Sequence, residues 1–298
     1  MSSYTEITTA DGRALEVLTA GDQGGFPWVY HGGSPSAAVL FEPLDAAARE
    51  AGLHLVTYSR PGCGGSSPRL PEQGAPRFVD DVADTVAVLD GLGLDDFVTL
   101  GWSGGGPRAL ACAALLPGRC RAATSLAGVA PLLGMGPDWY LGMAPENVAE
   151  YSAAVAGASW YEAYLETEFL PVLTATADDI TAALGDLLSD VDRAALDQPY
   201  AAWLAEMFAR SGAQGVVGVR DDGLAAVADW GFDLASITTP TAIWQGDQDA
   251  MVPLAHGRWL AENVPGTTAH LLEGLGHLID RPHLAQALAE LKALGGVG

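Results

Sequence analysis

The chain has 298 residues, with 14 Lys and Arg against 37 Asp and Glu, so its formal net charge is −23. That balance excludes a nucleic-acid binder, which needs clustered Lys and Arg, and a basic patch for anionic membranes. The only lysine is Lys292, which excludes a lysine-linked cofactor.

Apolar residues make up 49% and charged ones 17%, a globular composition long enough for one α/β core with or without an insertion. Cys63, Cys112 and Cys120 form neither an even set nor spaced metal-binding pairs, so neither a disulfide framework nor a metal site is expected. The N-terminus lacks a basic region followed by an apolar run, and no stretch of about 18 apolar residues appears. A soluble, cytoplasmic protein follows as the expectation.

Tyr4–Thr9 and Ala14–Thr19 are short strand-like runs around Asp11-Gly12, a hairpin signal. Pro27–His31 is an apolar strand leading into His31-Gly32-Gly33-Ser34-Pro35. A helix is predicted from about Ala37 to Ala51, then a buried strand Leu53–Tyr58 and the glycine-rich loop Arg60–Ser66. Val79, Val82, Val86 and Leu89 recur at helical spacing between Phe78 and Leu89. Asp96–Leu100 reads as a strand, Gly104–Leu116 as a helix with Pro107 in its first turn, and Ala122–Leu126 as a strand. Alternation of this kind implies a parallel sheet with ligands at the carboxyl ends of its strands. From about Pro131 to Asp229 the pattern is helical throughout. Strand–helix alternation resumes with Thr241–Gln245, Leu254–Asn263, Thr268–Leu272 and Pro282–Leu294. The expected organisation is therefore a core of residues 1–130 and 233–298, with a helical lid inserted at 131–232.

Gly101-Trp102-Ser103-Gly104-Gly105 matches G-x-S-x-G, a sharp turn that lifts a serine hydroxyl above the sheet edge. The pattern alone is weak, and a plain glycine turn would look the same. Its place between a predicted strand and a predicted helix gives it weight. A serine nucleophile needs a histidine base oriented by a carboxylate. Of the six histidines, His31 belongs to an earlier glycine loop, His54 to a buried strand as a satisfied core residue, and His256 and His270 to regular elements. His283 opens the last helix. His277 stands in a loop just beyond the last strand and is the best base. The loop after Thr241–Gln245 offers Asp247 and Asp249. Asp247 lies closer to the strand and suits turn stabilisation, so Asp249 is preferred. Backbone N–H groups of Gly104 and Gly33 would receive an oxyanion.

Taken with Arg60-Pro61-Gly62-Cys63-Gly64-Gly65-Ser66 and Val252-Pro253, these motifs make the chain resemble capped members of the α/β-hydrolase superfamily. The resemblance covers essentially everything outside the lid. It implies an α/β fold with a mostly parallel eight-stranded sheet, a lid after the sixth strand, and Asp249 as the acid. Ser103 departs from the aspartate nucleophile of haloalkane dehalogenases and epoxide hydrolases in that superfamily.

The reaction this implies is cofactor-independent serine hydrolysis of an ester or related acyl bond in a small, neutral substrate. Trp102 and Ser34 are expected to border the substrate. The alternatives are a proline iminopeptidase-like aminopeptidase, a lyase or cyclase on the same triad, and a silent binding protein. For the aminopeptidase, Glu162, Glu166 and Glu168 would hold the substrate's amino group, although a solvated helix face explains them as well. Trp139, Tyr140, Trp160, Tyr161, Tyr164, Trp203 and Phe208 either line an apolar pocket or pack as core. The expected partner is a small molecule, with neither nucleic acid nor membrane, and a homo-oligomer is left open. Between Glu146 and Asp229 fifteen acidic residues face three arginines, which disfavours strongly anionic substrates at the entrance.

Overall fold

The computed structural model describes residues 2–298, apart from the side chains of Pro71, Asp280, Arg281 and Pro282. Strands β1 (Ser3–Thr8), β2 (Ala14–Gly21), β3 (Phe26–His31), β4 (Leu53–Tyr58), β5 (Phe97–Trp102) and β6 (Cys120–Leu126) precede the insertion. A short β7 (Ala213–Val216) lies within it, and β8 (Thr241–Gly246) and β9 (Thr268–Leu272) follow. Eight of these strands form one sheet in the order β1-β2-β4-β3-β5-β6-β8-β9. Strand β2 runs antiparallel to β1 and β4, and every other pairing is parallel. The carboxyl ends of β3, β5, β8 and β9 therefore open on the same edge.

Side chains alternate between the two faces of the sheet. Trp28, Ala122 and Ala242 pack with Ala48 of the helix Glu42–Ala51 and Leu288 of the helix Asp280–Gly295. Their neighbours Val29, Ala123 and Ile243 pack with Leu89, Leu110 and Leu260 on the other side. Both faces are covered, as burial of a parallel sheet requires.

Three sequence expectations change. The helix predicted from Ala37 begins only at Glu42, with Pro43 in its first turn. Before it, Phe41 is extended and Ala38 N–H donates to Ser59 Oγ at 2.8 Å, so the backbone there is tied to the loop after β4. The insertion, helical from Leu132 to Val227, is interrupted by β7. His54 is half-buried, and its Nε2 has no hydrogen-bond partner among the described residues. The satisfied core histidine is His256, which accepts Ala130 N–H at Nδ1 and bonds the Trp139 carbonyl through Nε2. Burial depresses its pKa to about 4, so it is a neutral structural group. No helix among the described residues is long and apolar enough to cross a membrane.

Arg13, at the start of β2, grips Asp84 with two donors, at 2.6 and 3.2 Å, while its Nε reaches Asp11 at 2.9 Å. Both Arg13 and Asp84 are buried, so the pair pins the first hairpin to the helix Asp81–Leu92. Replacing Arg13 by Met strands a buried carboxylate. Urea unfolding is expected to show a loss of about 3–5 kcal/mol, and the double replacement Arg13→Met, Asp84→Leu should recover most of it.

Candidate active site

The end of β5 is the most crowded backbone in the sheet. A Cβ on Gly101 would lie 2.0 Å from the Gly105 carbonyl oxygen, and one on Gly105 would lie 2.0 Å from that of His31. Only glycine fits at either place. Ser103 sits between them at φ +55°, a left-handed conformation that L-residues seldom adopt. A short 3-10 turn, Ser103–Gly105, then leads into the helix Gly106–Leu115. This arrangement displays the serine at the mouth of a cavity rather than within the sheet.

That cavity has a volume of about 80 Å3, counted as the space open to the centre of a water molecule. Ser103, Gly104, Gly33, Ser34, Trp102 and His277 all line it. Asp249 lies behind His277: its Oδ2 is 2.8 Å from His277 Nδ1. Its Oδ1 accepts the N–H groups of Met251 and Val252 at 2.9 and 2.8 Å, and Gln245 Nε2 donates to Oδ2 at 2.9 Å. Both members of the pair are buried, at 5% exposure for Asp249 and 1% for His277. Burial pushes the Asp249 carboxyl above its ordinary pKa, while the imidazole and the Val252 N–H draw it down. Asp247 instead bonds Gly274 N–H at 2.7 Å, joining two loops away from the histidine.

The flanking residues have definite work. Trp102 lines the cavity, and its indole N–H donates to the His277 carbonyl at 3.1 Å, fixing the histidine loop against β5. The loop after β3 closes on the elbow so tightly that a Cβ on Gly104 would meet Ser34 Oγ at 2.2 Å. His31 is buried against Tyr58, away from the lining, and burial lowers its pKa to about 3. Cys63 is buried outside the cavity with its thiol pushed up to about 12, which suits packing rather than attack.

The insertion supplies much of the remaining wall, beside Pro35, Phe78, Val129, Met251, Val252 and Leu278. Of the aromatics weighed from sequence, Tyr161 and Phe208 line the cavity. Trp139 and Trp203 are buried core, and Trp160 is 71% exposed. Glu162, Glu166 and Glu168 do not line it. Glu162 pairs with Arg220 at 3.2 Å, and the other two are exposed. Two acids that the sequence did not single out do line it: Glu150 and Asp222. Asp222 faces Arg60 and Arg108 at 2.6 and 2.7 Å. Glu150 has no such cation among the described residues. It accepts the Tyr161 hydroxyl at 2.6 Å, and burial raises its pKa to about 7. Helical spacing could have placed Glu150 on the same face as Asn147, but nothing local marked that face as the inner one.

Residues 29–279 match the family described as the alpha/beta hydrolase fold. The chain is similar to a non-heme chloroperoxidase of Streptomyces lividans, 26% identical over 91% of this chain and 92% of that one. It is also similar to a pimeloyl-[acyl-carrier protein] methyl ester esterase of Chromobacterium violaceum, 28% identical over 88% and 90%. Among solved structures, an esterase from a Rhodococcus species superposes with a TM-score of 0.69 at 19% identity, covering 99% of this chain and all of the other. With a family match across 29–279 and its sheet order and elbow in place, the chain belongs to the α/β-hydrolase family.

Proposed function

We propose that the protein is a cofactor-independent serine hydrolase that cleaves an ester or related acyl bond of a small, neutral substrate through an acyl-enzyme. The observation that carries this is the buried Asp249–His277 pair, 2.8 Å apart, opening on the cavity that Ser103 enters from its left-handed turn. Ser103 Oγ attacks the acyl carbonyl while His277 Nε2 takes its proton. Asp249, hydrogen-bonded at Nδ1, holds the tautomer and stabilises the imidazolium. The N–H groups of Gly33 and Gly104 receive the oxyanion. His277 then protonates the leaving group and activates the water that releases the acid.

Helices of the insertion act as a lid: they wall the cavity with Phe169, Leu184, Leu204 and Phe208 and set which acyl chains fit. A relative named as a methyl ester esterase supports ester over amide. The glutamates that suggested amino-group recognition lie outside the cavity, which weighs against the aminopeptidase reading.

Two tests address this reading directly. A fluorophosphonate should label the wild type and leave Ser103→Ala unlabelled, with p-nitrophenyl butyrate turnover falling on the order of 10^4-fold or more. Equal labelling of both proteins would refute the nucleophile. The second test concerns charge. Among the described residues Glu150 meets only Tyr161 as a hydrogen-bond partner, and the other lining carboxylate is already matched by arginines. A neutral ester should therefore be preferred over its carboxylate-bearing analogue, and the kcat/KM ratio should widen as pH rises through about 7 and Glu150 ionises.

The Glu150→Gln variant should flatten that pH dependence. A carboxyl whose folded pKa lies above its ordinary 4.5 favours the folded state below that value and loses the advantage as pH rises to about 7. Glu150→Gln should accordingly gain more thermal stability over wild type at pH 8 than at pH 5. A ratio insensitive to pH in both proteins would remove Glu150 from substrate selection.

A further inference from the structure

The glycine-rich loop Arg60–Ser66 has no part in the chemistry above, yet its first residue reaches the oxyanion side of the site. Arg60 Nη1 donates to the Gly32 carbonyl at 2.9 Å, and Nη2 donates to the Gly33 carbonyl. Asp222, on the helix Val217–Val227 of the lid, holds the same guanidinium at 2.6 Å. Its other oxygen takes Arg108 Nη2 at 2.7 Å, and Arg108 Nη1 donates to the Gly104 carbonyl at 2.6 Å. One lid carboxylate thus faces two arginines that each also donate to backbone carbonyls beside Ser103, while Arg108 Nε goes to Asp81 at 2.6 Å. Arg60, Arg108 and Asp222 are each about 95% buried or more.

We propose that Arg60 and Asp222 are positioning residues that tie the seating of the lid to the oxyanion-binding peptide at Gly33. The proposal rests on the acyl-transfer reading of the site. The carbonyl of Gly32 and the N–H of Gly33 belong to one planar peptide group. A cationic donor on that oxygen fixes the plane, and it draws electron density from the nitrogen so that the N–H becomes a stronger donor. Preorganised donors of this kind supply a large share of transition-state stabilisation in acyl transfer.

Satisfying two buried carbonyls needs only two donors, which waters or other backbone N–H groups supply as well. What sets this arrangement apart is the anchoring of the arginine from the lid. Its loop is held there too: Gly64 N–H donates to the Arg210 carbonyl at 2.9 Å, and Gln214 Nε2 donates to the carbonyls of Gly64 and Ser66 at 2.9 and 2.7 Å. A Cβ on Gly62 would lie 3.0 Å from Gly218 N, so the loop and the lid helix touch backbone to backbone. A lid displaced from this seat takes Asp222 with it and leaves Arg60 beside Arg108 without its counter-charge.

The test uses Asp222→Asn, which keeps volume and loses charge, and Arg60→Lys, which keeps charge and loses the fork. Steady-state turnover of p-nitrophenyl butyrate is expected to show kcat lower by about tenfold to a hundredfold with KM changed less than about threefold. 1-Butylboronic acid reads the oxyanion side directly. Ser103 Oγ bonds to boron as its proton passes to His277, giving a tetrahedral boronate, and its affinity should fall by the same factor as kcat. Arg60→Lys, labelled with 15N-glycine, should show the Gly33 amide proton moved upfield in the free protein, and thermal unfolding checks that both variants are folded. A KM rise with kcat retained would overturn the proposal, because Asp222 would then be only a pocket wall. An unmoved Gly33 amide would overturn it as well. Should the wild type neither turn over esters nor bind the boronic acid, the hydrolase reading fails, and the Gly33 amide still decides whether Arg60 acts on that peptide.

Discussion

The site depends on one constraint, the meeting of three backbones at the end of β5. Gly101, the carbonyl of Gly105 and the carbonyl of His31 occupy space that admits no Cβ at either glycine. Because the strand, the helix Gly106–Leu115 and the loop after β3 converge there, Ser103 is forced into a left-handed turn and out of the sheet. The same crowding brings Ser34 and Gly33 beside Gly104. Strain on one residue is offset by packing of the two most central parallel strands, β3 and β5, whose register runs from Trp28 opposite Val98 to His31 opposite Gly101.

Charge is distributed by the same logic. The chain carries 37 acids and only 14 basic residues, yet several arginines are used inside rather than on the surface. Arg13, Arg60 and Arg108 are buried, each facing at least one carboxylate. Arg69 joins Asp81, which also takes Arg108 at 2.6 Å. Such pairs add little net stability over an apolar replacement, because desolvation offsets their attraction. Their value is geometric: a guanidinium has a rigid fork of donors that can span a carboxylate and two carbonyls at once.

The parts of this design that sequence makes legible are the local ones. Ser103, Asp249 and His277 each follow a strand within a few residues, so strand prediction and motif together place them on one edge, and Thr268–Leu272 and Leu254–Asn263 match the observed elements residue for residue. The helix predicted from Ala37 starts five residues late because Ala38 N–H is bound by Ser59, a contact across 21 residues that no local pattern carries. Glu150 and Asp222 were illegible for the same reason. A carboxylate on an amphipathic helix looks alike whether it faces water or a cavity, and only the docking of the insertion decides. Glu162, the more conspicuous acid, turns outward to Arg220.

That docking also shows why the insertion is more than a cover. Asn147 Nδ2 donates to the Met251 carbonyl at 2.9 Å, in the loop that carries Asp249. Asp192 accepts Leu278 N–H at 2.8 Å, next to His277. Asp222 holds Arg60 and through it the carbonyls of Gly32 and Gly33. Three separate helices of the insertion thus each support one of the loops that carry Asp249, His277 and Gly33. An insertion docked this way cannot shift as a rigid body without releasing all three loops together. The segment between Phe169 and Leu188 differs: it lines the cavity but contributes none of these three contacts.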